Sequence, residues 1–151
     1  MRWKLVTWIT IWSTNLSDYL LKHRPTNYSF KSFGKMAAGS LGRNFHDYLV
    51  EHKISYKPNL IRHDLKHILL DYKMEMMDEL RIHAFLIGNK SYNLLSMAYL
   101  GLCLLIVPEV ILKLKNDYLR GKNTPCLKRV NLEQFVHLNL NECRQKLAIP
   151  E

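Results

Sequence analysis

Apolar residues recur at helical spacing along nearly the whole chain, and this pattern constrains the fold more than any other feature. Only six glycines and five prolines interrupt it across 151 residues. No run of strictly alternating apolar and polar residues is long enough to predict a sheet. A chain of this length with 48% hydrophobic residues can bury the core of one domain. We therefore predict an all-α fold, a single-domain helical bundle of about six to seven helices over residues 1–151.

Caps and helix breakers set the predicted boundaries. An apolar, tryptophan-rich N-terminal helix is expected at 3–22 and is broken by Pro25, and a polar connection follows at 26–38. Ser40 is the candidate N-cap of a helix that runs to about His52. Further helices are predicted at 59–72, at 74–87 with an end at Gly88-Asn89, at 91–119, and at 131–147 with Asn131 as a candidate cap.

The segment HDLKHILLDYKMEMMDE, residues 63–79, indicates a metal site. His63 and His67 are four residues apart, so their side chains stand on one helical face about 6 Å apart along the axis. Asp64 could bind the same ion from the side, and Glu79 would come from a following helix that folds back. Such a nitrogen and oxygen ligand set suits a divalent metal, zinc first, with iron or manganese as alternatives. The alternative interpretation is a half-buried histidine face with solvated acids.

The same spacing resembles the coenzyme Q (ubiquinone) biosynthesis protein 4 family, whose signature is H-D-x-x-H, eleven residues, then E. His63, Asp64, His67 and Glu79 fit each position. The block GSLGRNFHDYL at 39–49 resembles the family segment upstream of the metal motif, and NTPCL at 123–127 is a weaker third similarity. The resemblance covers about residues 36–147, and it identifies the chain as a short, divergent member.

The resemblance implies a peripheral membrane protein of ubiquinone biosynthesis with one of two functions. One is a metal-dependent enzyme that decarboxylates and hydroxylates the ring of a prenylated hydroxybenzoate. Another is a non-catalytic scaffold that binds prenyl lipids and other quinone-biosynthesis enzymes. In either case the expected partners are a prenylated quinone intermediate or other isoprenoid lipid, an anionic membrane surface and a second copy of the chain in a homodimer.

Two acidic residues depart from the family pattern, which has glycine at both positions. Asp71 lies four residues after His67 and so on the same helical face as His63 and His67, where we expect an extra or competing ligand. Asp78 precedes Glu79, and two adjacent carboxylates raise one another's pKa unless a cation neutralises them. We expect metal binding to survive both changes.

Charge and composition favour a membrane surface over nucleic acid. The formal net charge is +9 and the pI is near 9.5, but no nucleic-acid-binding motif accompanies the basic residues, so no nucleic-acid partner is predicted. The apolar run 91–108 is at the lower limit for a bilayer span and is predicted to be a buried helix. The three widely spaced cysteines predict a reducing compartment, and the expected location is cytoplasmic, on the inner face of a membrane. Ten of the 22 Lys and Arg residues lie in the two basic stretches expected to face the membrane, which are Lys22, Arg24, Lys31 and Lys35, and then Lys113, Lys115, Arg120, Lys122, Lys128 and Arg129.

A third function is suggested by the His63-Asp64 doublet, which also resembles the HD-type metal phosphohydrolases. Those enzymes need a further histidine upstream and an aspartate downstream. His23 or His46 and Asp117 are the candidates, although no surrounding motif residues accompany them.

Overall fold

The computed structural model of the chain describes residues 1–21 and 26–150. Lys22, His23, Arg24, Pro25 and Glu151 lie outside the described residues. The predicted break at Pro25, the candidate role of His23 and the basic pair Lys22 and Arg24 therefore stay predictions.

The described residues form eight α-helices and no strand, which confirms the all-α prediction. Three short 3-10 turns lie between them, at Pro58–Leu60, Pro108–Val110 and Leu132–Phe135. The α-helices are α1 Arg2–Leu21, α2 Phe30–Gly34, α3 Leu41–Glu51, α4 Ile61–Leu70, α5 Met76–Gly88, α6 Leu94–Ile106, α7 Ile111–Lys122 and α8 Leu140–Lys146.

Two long predicted helices are each broken in the structure, which raises the helix number above the prediction. The predicted helix 91–119 is wrong at Pro108, where α6 has ended at Ile106 and a 3-10 turn leads into α7. Proline causes this break because it lacks an N–H and disfavours helical backbone in the preceding residue. The predicted helix 131–147 begins as a 3-10 turn, and Asn139 then caps a separate α8 by accepting from Asn141 N at 3.0 Å.

The predicted connection 26–38 contains the short helix α2. Ser29 caps it, since its hydroxyl accepts from the backbone N–H of Ser32 at 3.3 Å. Ser40 caps α3 as predicted, accepting from Arg43 N at 3.2 Å. The cap positions in the sequence thus predict helix starts better than helix lengths.

The chain divides into two compact units, each built from separated segments. The first unit contains residues 1–16, 72–130 and Pro150, and the second contains residues 17–71 and 131–149. The single domain predicted over 1–151 stays a prediction.

The first unit has a core to which α1, α5, α6 and α7 contribute. Val6 and Ile9 of α1 are buried with residues of the other three helices and of the Pro108 turn. Gly88 of α5 and Gly121 of α7 bring the two helix backbones together, because a β-carbon at either position would clash with a backbone carbonyl of the other helix. The core residues are Val6, Ile9, Leu80, Ala84, Tyr99, Leu100, Cys103, Val107, Val110 and Leu114.

The second unit is organised around buried aromatic and leucine side chains. Phe33 and Phe45 meet edge to face with ring centroids 5.2 Å apart. The start of α3 is joined to the segment before α8, since Leu41 N donates to Leu138 O and Gly42 N donates to Val136 O, both at 2.9 Å. These contacts hold the block 39–49 against the C-terminal segment.

No single helix among the described residues is both long and apolar enough to cross a membrane. The segments Leu94–Ile106 and Pro108–Lys122 meet the length and composition criteria only when taken together, and they are bent by 110° at their junction.

Candidate metal centre

The two histidines of the motif lie on one face of α4 in the second unit. His67 is fully buried, with 0% of its surface exposed, and His63 is half-buried one turn earlier. Their Nε2 atoms are 3.1 Å apart, and their ring centroids are 4.8 Å apart at an interplanar angle of 74°. The four-residue spacing and the helical backbone therefore produce the paired imidazoles that the sequence predicted.

The separation of the two nitrogens suits chelation of one ion. Two nitrogens, each 2.0–2.1 Å from a tetrahedral zinc, stand about 3.3 Å apart. The His63 and His67 Nε2 atoms are within a few tenths of an ångström of that distance. A nitrogen pair this close fits two ligands of a single divalent cation, and it fits equally a hydrogen bond between the two rings.

The local sequence of α4 bears on the burial of His67. Leu65 and Leu69 are completely buried on one side of this helix. His67 lies on another side, which it shares with the completely buried Leu70 three residues later, so α4 is covered on more than one side. A fully buried imidazole needs polar partners, and a metal ion is one that would use its lone pair.

Asp64 follows His63 in the first turn of α4 and is half-buried. Burial raises the pKa of Tyr56, and the charges of Glu133 and then Asp64 raise it further. The Tyr56 hydroxyl remains protonated and donates to Tyr28 O at 2.7 Å. The role of Asp64 as a ligand stays a prediction.

Glu79 lies in the first turn of α5, which belongs to the first unit, and is half-buried. Burial raises the pKa of Tyr99, and the Glu79 charge adds to this effect. The Tyr99 hydroxyl shares a 2.8 Å hydrogen bond with Thr10, and the Tyr99 ring packs 4.7 Å from the ring of His83. The Tyr99 side chain thus lies close to both His83 and the Glu79 charge within the first unit.

His83 and Tyr99 were missed by the sequence reasoning. His83 is four residues after Glu79, which places both side chains on one face of α5, and this spacing is a signal that could have found it. Tyr99 comes from α6, and no local spacing relates it to Glu79. Only the packing of α5 on α6 in the first unit brings it there.

The two acids that depart from the family pattern are both accounted for locally. The hypothesis that Asp71 continues the histidine face is wrong, because α4 ends at Leu70 and Asp71 is an exposed C-cap with left-handed backbone at φ 60°. Asp78 accepts from Lys73 N at 3.0 Å with one oxygen and from Arg81 at 2.8 Å with the other. The Arg81 cation supplies the neutralisation that a second carboxylate beside Glu79 requires.

A small cavity borders His63 in the second unit. It has a volume of ≈ 40 Å³, and Arg62 and Glu133 lie in its wall. Arg62 donates to Glu133 at 2.8 Å, and the Thr26 hydroxyl donates to the same carboxylate at 3.0 Å. The cavity wall is mostly apolar, and its charged part is the pair of Arg62 and Glu133.

The residues proposed for an HD-type phosphohydrolase are engaged in other contacts. Asp117 is 5% exposed and accepts from the Tyr72 hydroxyl at 2.8 Å and from Arg81 at 3.1 and 3.2 Å, so both its oxygens are used. His46 stacks on Phe30 with centroids 4.6 Å apart. These contacts give Asp117 and His46 structural roles within their own units.

The chain matches no protein-family model, and no curated protein matches it significantly. Membership of the quinone-biosynthesis family therefore stays a prediction carried by the motif residues.

Proposed function

We propose that this protein binds one divalent metal ion through His63 and His67, with Asp64 and Glu79 as further ligands, and serves ubiquinone-type biosynthesis at a membrane surface. Zinc is the first candidate, and iron or manganese are alternatives. The observation that carries the proposal is the 3.1 Å separation of the two imidazole nitrogens. Nitrogens so close on a buried helical face share either a proton or a cation.

Glu79 is the carboxylate that we assign to the ion from α5. The connection between α4 and α5 is only residues 71–75, so Leu70 and Met76 are six residue steps apart, at most about 22 Å at full extension. A connection this short is compatible with a following helix that folds back, which the assignment of Glu79 requires. The metal would polarise a carbonyl or carboxylate oxygen of a substrate when bound.

An apolar groove in the first unit supports a prenylated ligand. It has a volume of ≈ 170 Å³, and its wall includes Ala84 and Ile87 of α5 with Leu100 and Leu104 of α6. Ile87 lies eight residues after Glu79, which is about 12 Å along α5. A prenyl chain in the groove would therefore extend away from an aromatic ring held near Glu79, as expected for a prenylated quinone precursor.

The function as a scaffold is a second candidate, and the size of the cavity beside His63 favours it. An engineered apolar cavity that binds benzene in another protein has a volume of about 150 Å³, whereas this one has ≈ 40 Å³. A metal that only organises the fold would need no space for an aromatic substrate beside it.

The first test is metal analysis of untagged protein purified without added metal. We expect about one equivalent of metal in the wild type, since a single ion uses both imidazoles, and its loss in His63→Ala/His67→Ala. His52→Ala/His137→Ala, which removes two exposed histidines, is the matched control and should keep the metal. Wild-type protein that neither carries nor takes up zinc, iron or manganese would contradict the proposal.

The variant His67→Ala distinguishes a catalytic function from a scaffold function. If the protein is the enzyme, this variant should lose turnover of a prenylated hydroxybenzoate while keeping its helical circular dichroism. If the variant still binds prenyl lipid and partner enzymes and the wild type shows no turnover, the scaffold function is the correct one.

A further inference from the structure

Two leucines at the bend between α6 and α7 are almost fully exposed. Leu105 is 82% exposed and Leu112 is 79% exposed, and they lie on either side of the Pro108 turn. Ile111, next to Leu112, is also exposed. Large aliphatic side chains grouped in this way usually mark an interaction surface.

The start of α1 lies at the same end of the first unit. The Arg2 guanidinium contacts the Glu109 carboxylate of the bend at 3.0 and 3.1 Å. Val6, one turn further along α1, is buried in the same core as Val107 and Val110. Trp3 and Leu5 flank this anchored turn and are exposed, so they extend the apolar surface of the bend.

Cationic side chains surround these apolar residues. Arg2 and Lys4 flank Trp3 on α1, and Lys113 and Lys115 follow Leu112 on α7, and all four are exposed. Glu109, which pairs with Arg2, is the one acidic residue within the segments 2–5 and 105–115. Anionic headgroups attract juxtamembrane cations by about 1 kcal/mol for each Lys or Arg.

We propose that this end of the first unit docks on an anionic lipid bilayer. The docking end consists of Trp3, Leu5, Leu105, Ile111 and Leu112, with Arg2, Lys4, Lys113 and Lys115 around them. Its leucines enter the boundary between headgroups and acyl chains, and the Trp3 indole lies at headgroup level. The three lysines contact lipid phosphates, while Arg2 stays paired with Glu109. The inference rests on the proposed function in one respect, the membrane location, and it names the surface responsible.

Tryptophan fluorescence and vesicle sedimentation test this assignment. All three tryptophans, Trp3, Trp8 and Trp12, lie in α1, so a blue shift of their emission reports transfer of this helix to a less polar environment. With vesicles of equal parts phosphatidylglycerol and phosphatidylcholine, we expect a blue shift and sedimentation of the wild type. Pure phosphatidylcholine vesicles should bind at least about tenfold more weakly, since the cations then lack partners.

Leu105→Asp/Leu112→Asp should weaken binding to the anionic vesicles by at least about tenfold, because a carboxylate cannot enter the acyl boundary. Leu94→Asp is the matched control. Leu94 is 83% exposed on α6, like Leu105, but lies at the end of that helix away from the bend. The Leu94→Asp variant should bind the anionic vesicles as the wild type does. Both variants should keep the wild-type thermal unfolding midpoint.

Three outcomes would overturn the assignment: a wild type that stays in the supernatant, a Leu105→Asp/Leu112→Asp variant that binds normally, or equal binding to neutral vesicles. A wild type that forms dimers broken by the double variant, with no vesicle binding, would assign the surface to a second copy instead. His63→Ala/His67→Ala should bind vesicles normally, so failure of the metal site and failure of the docking end are distinguishable.

Discussion

At the scale of single residues, Asp71 and Asn89 determine how two helices end. Asp71 takes left-handed backbone at φ 60° after α4, a conformation that glycine adopts most easily and that aspartate tolerates better than most residues. Asn89 follows α5 and is buried, and its amide donates to the carbonyls of Gly121, Thr124 and Pro125. The segment NTPCL at 123–127 is thus part of a loop that hydrogen bonds from the Asn89 side chain hold in place.

Tyr72 gives the fold a dependence on alkaline pH. Burial, together with the hydrogen bond to Asp117, raises the pKa of Tyr72 to about 12 from its ordinary value near 10. Because the pKa is higher in the folded state, the stabilisation is fully present below pH 10 and is lost as the pH rises towards 12. The loss amounts to ~3 kcal/mol at about 1.4 kcal/mol per pH unit.

Urea denaturation at several pH values, which gives the free energy of unfolding of the wild type and of Tyr72→Phe, tests this pH dependence. Near neutral pH the variant should be less stable by about 1 kcal/mol, the cost of one hydrogen bond. Between pH 10 and 12 the wild type should lose stability relative to the variant. Tyr118→Phe, at an exposed position of α7, should follow the wild type throughout, and parallel curves for wild type and Tyr72→Phe would contradict the assignment.

At the scale of elements, α5 and α7 form the closest helix pair of the first unit. Gly88 faces the Tyr118 carbonyl and Gly121 faces the Phe85 carbonyl, with no room for a β-carbon at either glycine. Arg81 of α5 joins Asp117 of α7 and also Asp78 at the start of α5. The same two helices thus fix the turn of α5 that carries Glu79.

Gly88→Ala should reduce the free energy of unfolding by about 3 kcal/mol or more, because the added methyl group forces the two backbones apart. Gly101→Ala is the matched control within a helix of the same unit. Nothing lies within 4 Å of a β-carbon at Gly101, so this variant should gain up to ~1 kcal/mol from helix propensity. Urea denaturation measures both, and equal stability of the two variants would show that the α5 and α7 backbones are not so close.

At the scale of the whole molecule, two compact units are built from interleaved segments of the chain. Helix α1 supplies residues to both, since its first part belongs to the first unit and its last part, from Ser17, belongs to the second. Neither unit is one continuous stretch of sequence. Such interleaving favours cooperative folding, because one unit that folds alone must close long unfolded loops formed by the other unit, at a cost in chain entropy.

We therefore expect a single unfolding transition. Tryptophan fluorescence follows the first unit, because Trp3, Trp8 and Trp12 all lie within residues 1–16, whereas far-ultraviolet circular dichroism follows helices of both units. Their urea midpoints should coincide, as in two-state unfolding. Separate midpoints would replace the predicted single domain over 1–151 with two independently stable units.

Much of the helical structure could be predicted because its causes are local. The N-cap at Ser40 and the helix end at Gly88-Asn89 agree with the structure. Pro108 is a local signal for a helix break, but the sequence prediction made it an interior residue of one helix over 91–119. The structure ends α6 at Ile106 instead. The short α2 was missed because a five-residue helix carries too little periodic signal.

The sequence by itself determined the helical class and the pairing of His63 with His67, because both follow from residues within a few turns of one another. Tertiary structure decided what the distant residues do. Asp117 is held by Tyr72 and Arg81, and Asp78 is neutralised by Arg81, through contacts that no local spacing specifies. The physical reason is that side-chain periodicity shows which face of a helix is apolar, whereas the partner of a buried charge depends on which helices pack together.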